Sequence, residues 1–477
     1  MPPSIVAPSD PIAADPAKPQ YRMILGASLS TAFILPFIAS SVNVAVPSIE
    51  ADFQANAVLL SWIPTSYIFV AACLLIPMGK VSDMVGRKKI YRIGIGIYAL
   101  GALICLVSPS IYSLLAGRGI QAVGSSMILS NEISILVSSF PSEQRGTVLG
   151  LNVATVYGGL AAGPFLGGIL SQYLSWRSIF GVALPFCLVI FICLSRIRTE
   201  WRSPTQGGFD WVGVGIYVVA LSGLLLGFSG LPSAPGFGLA GVGLAAAIGF
   251  VRWEIKTQNP LLDIEIFRNR IFAFSSLASL ISYAAAFSVS FLISLYLQYI
   301  QALSPQDAGL ILVSQPILQM VFSPITGRLS DRIEPRLLAS AGMVLIALGL
   351  LWFSFLQMDT PLPFVVLGLG LLGSGFALFS PPNVNATMGA VEKRYFSTAS
   401  ASVGTVRMIG QVLSIGVTTL VFAAVIGDES ISPATYPQLL VSIQRVFGFS
   451  CILCGAGVFL SLARGNLRSG QPVSKQA

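Results

Sequence analysis

The sequence predicts an all-α integral membrane protein with 14 transmembrane helices: two six-helix halves and two further helices inserted between them. Three observations carry this. Hydrophobic residues make up 54% of the 477 residues and charged residues only 10%, with a mean hydropathy of +0.81. Soluble domains carry roughly a quarter charged residues, so much of this surface faces lipid. Apolar runs of the length a bilayer needs, about 20 residues, recur along the whole chain. Finally, the cations alternate in position between successive runs, and a short motif appears twice. Runs such as Ile93 to Val107 are apolar all round, which a barrel strand of alternating character is not.

Residues 1–22, rich in Pro and Ala, read as a flexible cytoplasmic tail. The run from Met23 to Pro47 is too long for a signal peptide and reads as the first span. Spans follow near 60–79, 91–108, 112–138, 147–173, 178–197, 211–229 and 237–253. The later set lies near 271–299, 306–326, 337–357, 363–382, 398–427 and 440–463. With the N-terminus inside, 23 of the 27 cations fall on the inner connections and tails. Arg177 alone lies on an outer loop, and Arg118, Arg407 and Arg445 lie within spans. The positive-inside rule predicts this bias, with both termini cytoplasmic in a cell membrane. It also explains the net charge of +8 through anionic inner-leaflet lipid rather than nucleic acid.

The segment Gly79-Lys-Val-Ser-Asp83 is echoed by Gly327-Arg-Leu-Ser-Asp331. Each follows the second span of a set, at its inner end. The division expected is 23–200 for the first half, 201–260 for the inserted pair, 261–464 for the second half and 465–477 for a cytoplasmic tail. Such duplicated halves place a carrier's site between them. In the first segment Gly79 permits close helix approach and Gly86 a tight turn. Asp83 can pair with Arg87, Lys88 or Lys89, or with a helix N-terminus.

The run from Gly79 to Lys89 resembles the signature loop of the major facilitator superfamily, between its second and third spans. Arg118-Gly-Ile-Gln-Ala-Val-Gly124 is similar to the superfamily's fourth-span R-x-x-Q-G-x-G pattern, with Ala122 in place of a Gly. Gly159-Leu-Ala-Ala-Gly163-Pro164-Phe-Leu-Gly167-Gly168 resembles the fifth-span antiporter motif. Trp176-Arg-Ser-Ile-Phe180 and the inserted pair resemble the fourteen-span drug:proton antiporter branch. The resemblance implies that the fifth-span segment helps seal the site on one side, and that Arg118 senses protonation or substrate. One departure stands out. That branch carries an Asp in its first span before a run like Val42-Asn43-Val44-Ala45-Val46-Pro47, and here the matching position is Ile38.

Among the acids Glu132 is exceptional, because it falls within the fourth span. An ionised carboxylate there costs about 2.5–3.5 kcal/mol on insertion scales, which makes it a candidate proton or cation handler. A structural hydrogen bond is the other reading. In an unbroken helix Arg118 and Glu132 share a face, about 40° apart and about 21 Å along the axis. Gly163 and Pro164 allow bending or tight packing. Asn43, Tyr67, Gln121, Asn131, Asn152, Gln298, Gln315, Gln319, Asn383, Asn385, Arg407 and Gln411 are polar groups that should face the bundle interior. They line a cavity or hydrogen-bond between helices.

The absence of histidine removes the commonest zinc ligand and the Ser-His-Asp triad, and no cofactor or metal site is expected. Enzyme activity is not expected. All six cysteines, Cys73, Cys105, Cys187, Cys193, Cys451 and Cys454, fall in apolar runs as small packing residues. The expected function is export of small amphipathic or cationic compounds by proton-coupled alternating access, by a chain functional as a monomer. Its partners are substrate, protons and lipid. A facilitator or symporter of a metabolite, and a non-transporting membrane sensor, are the alternatives.

Overall fold

In lipid every backbone polar group must be satisfied within the protein, which favours unbroken helices over loops. The computed structural model follows this rule. It describes residues 19–140, 142–201, 208–230, 233–257, 260–262, 264–330, 332–391, 396–427 and 431–465, and among them helix dominates with no strand. The first six spans are α1 (Pro19–Phe53), α2 (Ala57–Val85), α3 (Arg87–Leu106), α4 (Ile111–Leu129) continued by α5 (Glu132–Ser139), α6 (Ser142–Tyr173) and α7 (Arg177–Arg196). The inserted pair is α8 (Trp211–Gly230) and α9 (Ala234–Lys256). A 3-10 turn (Ile264–Arg268) leads into α10 (Arg270–Ala286). That span continues through α11 (Val289–Leu295) and a π-helical turn (Tyr296–Ile300). The remaining spans are α12 (Pro305–Leu312) with α13 (Ser314–Ser330), α14 (Pro335–Phe353), α15 (Leu362–Gly389), α16 (Phe396–Val425) and α17 (Tyr436–Ala463).

Thirteen of these fourteen spans are long and apolar enough to cross a bilayer. The fourth falls short because Arg118 and Gln121 interrupt its apolar character. It is also broken. The chain turns at Ser130 and Asn131, so Arg118 and Glu132 lie on separate helices rather than on one unbroken face. Local signals set several helix starts. Asn56 Oδ1 accepts the Leu59 amide at 2.8 Å ahead of α2, and Ser110 forms a reciprocal capping box with Ser113 ahead of α4. Gly86 adopts φ +126°, a region closed to most side chains, and joins α2 directly to α3.

The two halves repeat one packing device. In the first, Gly101 and Gly124 bring α3 and α4 together backbone to backbone. In the second, Gly342 and Gly375 do the same for α14 and α15. The halves meet where α2 packs on α16 and where α6 packs on α12 and α13. The inserted pair lies against the first of these seams. Tyr217 of α8 donates to the Ala72 carbonyl of α2 at 2.9 Å, while Leu225 and Phe228 lie beside Gly416 of α16.

Candidate functional site

Glu132 opens α5, and its side chain is 5% exposed. Ser28 Oγ of α1 donates to Glu132 Oε1 at 3.0 Å, and Asn152 Nδ2 of α6 donates to the same oxygen at 2.7 Å. Asn152 also donates to Ser28 Oγ at 3.0 Å, closing a three-membered network. Both partners are neutral, and no cation contacts the carboxylate among the described residues. The carboxyl therefore ties the fourth span to the first and fifth through groups that can re-pair when it gains a proton. Ser28 was not singled out in the sequence, where one serine among many in an apolar run carries no distinguishing signal.

Arg118 is buried on α4 with its Nη1 on Gln121 Oε1 at 2.6 Å, one turn along the same helix. Its guanidinium stacks 4.3 Å from the centroid of the Tyr67 ring of α2. Three candidate residues thus form one cluster, held mainly by side chains rather than by backbone carbonyls. Nε reaches the Ile63 carbonyl only at 3.5 Å.

The repeated loop motif builds matching joints. Asn131 Nδ2 donates to Ser82 Oγ at 2.7 Å in the first half, and Asn385 Nδ2 donates to Ser330 Oγ at 3.0 Å in the second. Each bond ties the fourth span of a half to the serine of its motif. This correspondence sets Ala386 where the first half has Glu132. Asp83 pairs with Arg87 of its own loop, with Oδ1 2.8 Å from both Nε and Nη2. Glu200 accepts the Lys88 amide at 2.8 Å, and a side chain at Gly86 would collide with its carboxyl. Asp331 lies outside the described residues. Gly79 does not mark a close approach. A Cβ there would sit 3.9 Å from Ser130 Cβ, and one at Gly327 would sit 3.8 Å from Pro381, both ordinary contacts. Both positions have room for a methyl group.

The fifth-span glycines are tight. A Cβ on Gly159, Gly163 or Gly167 would overlap Phe33, Ser40 or Ser41 of α1, and Ser41 Oγ donates to the Gly163 carbonyl at 2.9 Å. Gly168 instead meets Pro305 and Gln306 of α12, and Gly309 of α12 meets the backbone of Pro164. This last contact joins the halves. Around it Gln298 Nε2 donates to the Val44 carbonyl at 2.8 Å, and the Tyr299 hydroxyl donates to Glu50 Oε2 at 3.1 Å. The Gln306 amide donates to Gln172 Oε1 at 3.3 Å, and the Ser61 and Thr419 hydroxyls pair at 2.7 Å. All four bonds lie at the end away from Lys80, Arg87 and Lys88.

The remaining polar candidates divide. Asn383 is buried, donating to the Ser275 carbonyl at 3.1 Å and Ser279 Oγ at 2.9 Å and accepting from Arg464 at 2.8 Å. It is a joint between helices, as are Asn131 and Gln298. Asn43, Gln315, Gln319 and Gln411 are partly exposed. Arg407, in mid-α16, is exposed, with its guanidinium 5.9 Å from the Tyr283 ring centroid. Glu50, Tyr299 and Arg464 escaped sequence reasoning because each sits at a span end, where polar groups are common. The same holds for Asp52, which accepts from Trp176 Nε1 at 3.1 Å and from Arg177 Nη1 at 2.5 Å.

Comparison with known proteins agrees with this architecture. Residues 29–253 and 275–476 match the family model of the Major Facilitator Superfamily. The riboflavin transporter RibZ of Clostridioides difficile (strain 630) is 25% identical over 90% of this chain and 94% of its own. The multidrug resistance protein Stp of Mycobacterium tuberculosis (strain CDC 1551 / Oshkosh) is 29% identical over 82% of this chain and 74% of its own. The lincomycin resistance protein LmrB of Listeria monocytogenes serovar 1/2a (strain ATCC BAA-679 / EGD-e) is 23% identical over 92% and 96%. The crystal structure of a peptide transporter, POT, shares the fold, with a TM-score of 0.68 at 14% identity over 93% of this chain and 94% of that one.

Proposed function

The chain belongs to the major facilitator superfamily of transporters, and from that premise we propose that it exports small amphipathic compounds by proton-coupled alternating access. The observation that carries this is the position of Glu132. Its two partners, Ser28 and Asn152, sit on α1 and α6. Those same helices supply Val44, Glu50, Gly168 and Gln172 to the seal against the second half. A carboxylate accepts from both partners, whereas the protonated acid must donate one hydrogen bond. Gaining a proton therefore reorganises the contact between α1 and α6, and a change there shifts the balance between sealed and open arrangements.

The basic end is cytoplasmic by the positive-inside rule, with both termini inside the cell membrane. The seal then faces outward. The first half, 23–200, rocks against the second, 261–464, while the inserted pair, 201–260, braces the α2–α16 seam. Arg118 and Gln121, beneath Tyr67, form a second polar group of the first half that responds to the cavity. The chain acts as a monomer, since both halves of the site are present in one copy. The drug-resistance names of Stp and LmrB favour efflux, while that of RibZ favours a metabolite carrier on the same scaffold.

A cellular accumulation screen across compound classes tests the proposal. Cells expressing the protein should retain less of at least one amphipathic compound than cells expressing Glu132→Gln. Identical accumulation of every compound in the two strains would remove Glu132 from the mechanism.

A further inference from the structure

Arg407 occupies an unusual place for a guanidinium. It is 11 residues into α16, about 16 Å along the helix and near mid-span. Its side chain is exposed, yet lipid at that depth would penalise it by about 2.5–3.5 kcal/mol. Its neighbours show that it faces the space between the halves. Tyr283 of α10 lies beneath the guanidinium, and Tyr157 of α6, from the opposite half, lies within its electrostatic reach. Ser380 of α15 and the buried Ser323 of α13 lie within hydrogen-bonding reach of the Tyr157 hydroxyl. Five side chains from five helices thus converge. One is a permanent cation and four are hydroxyls that can donate.

No carboxylate answers this cation among the described residues. Glu50 is engaged by Tyr299, Asp52 by Arg177, Asp83 by Arg87, and Glu132 by Ser28 and Asn152. A surface between the halves that bears a guanidinium, several hydroxyl donors and, among the described residues, no acid is complementary to a negative ligand. A planar guanidinium fork fits a carboxylate, sulfonate or phosphate in bidentate geometry. The Tyr283 and Phe376 rings, 6.0 Å apart, supply an apolar wall for an attached ring system.

We propose that this transporter's substrates are aromatic amphiphiles bearing an oxyanion, and that Arg407, assisted by Tyr157 and Tyr283, binds the anionic group. This deepens the export reading and rests on it for direction of transport, but binding itself needs no proton coupling. Equilibrium dialysis of the purified full-length protein in nanodiscs therefore tests it separately, with three radiolabelled isosteres: 1-naphthylacetate, 1-naphthylacetamide and 2-(1-naphthyl)ethylamine. The acid should bind at least about tenfold more tightly than the amide, with the amine weakest, as a charge-assisted bidentate contact requires. Arg407→Gln should erase the acid's advantage over the amide, and Arg407→Lys should retain part of it. Preference for the amine, equal affinities, absence of binding by all three, or an equal loss for all three in Arg407→Gln would overturn the proposal. The wild-type ranking decides it even if a variant fails to fold. Loss of proton flux in vesicles with the ranking intact would instead refute only the coupling mechanism.

Discussion

A single methyl at Gly168 should unseal one end of the protein. Gly168 of α6 faces α12 with no space for a side chain: an added Cβ would overlap the Pro305 carbonyl oxygen and lie 2.9 Å from both the Pro305 carbonyl carbon and Gln306 Cα. Carbon atoms in good contact sit about 3.5–4.0 Å apart, so the helices must separate by about 0.6–1 Å. Overpacking of this kind costs about 1–3 kcal/mol. The contact joins the two halves, so the cost falls on the conformer in which this end is shut. A penalty of 1–3 kcal/mol moves a two-state balance by about 5–150-fold. Gly163 supplies the control. It is equally tight, but against Phe37 and Ser40 of α1 within the same half, so a methyl there penalises the fold in both conformers. Spin labels on cysteines replacing the exposed Tyr173 and Asp307, with the six native cysteines removed, report the separation by double electron–electron resonance. Gly168→Ala should populate a longer distance with little change in Tm. Gly163→Ala should lower Tm and leave the distances unchanged. An unchanged distribution in Gly168→Ala, or a shift in Gly163→Ala, would refute the assignment of Gly168 to a contact that opens.

Tyr299→Phe removes the bridge to Glu50 and should shift the same distance distribution in the same direction, by about 1.5–3 kcal/mol if the carboxylate is ionised. Trp176→Ala should reduce stability by about 3–5 kcal/mol, because the ring is buried and packs against Phe53 and Phe180. Asp52→Ala should cost less than about 1 kcal/mol, since the Asp52 side chain is 45% exposed and its arginine 30%; thermal melts of the two variants separate packing from charge. Asn131→Ala and Asn385→Ala should destabilise to a similar extent, about 1–3 kcal/mol each, because each leaves a motif serine without the amide that meets it. Strongly unequal melting shifts would contradict the equivalence of the two joints.

The membrane fold was legible because two independent signals agree, the spacing of apolar runs and the placement of Arg and Lys between them. The position of Glu132 in the fourth span was legible for the same reason: a carboxylate is rare in such a run. Its partners were not. Ser28 and Asn152 come from spans 104 residues before and 20 residues after it, and no local pattern specifies which serine among many meets an acid. The break at Ser130 and Asn131 was hidden too. Neither residue forbids helix, and the turn is held by Asn131 reaching Ser82 on another span. The fifth-span glycines announced close packing, but not that Gly163 serves one half while Gly168 serves the junction. That difference depends on which partner lies opposite, which only the assembled bundle decides. Asn383 shows the converse. It reads as a cavity group by polarity alone, yet Arg464 from the end of the last span comes back to engage it.

The most direct test of the central claim uses purified protein in sealed vesicles loaded with a pH-sensitive dye, with the compound that gives the largest difference in the accumulation screen. Substrate added to the wild type should drive a proton flux, and an imposed pH gradient should accelerate substrate movement. Glu132→Gln should abolish both effects while still exchanging substrate down its own gradient. Substrate-driven proton flux of wild-type size in Glu132→Gln would contradict the account.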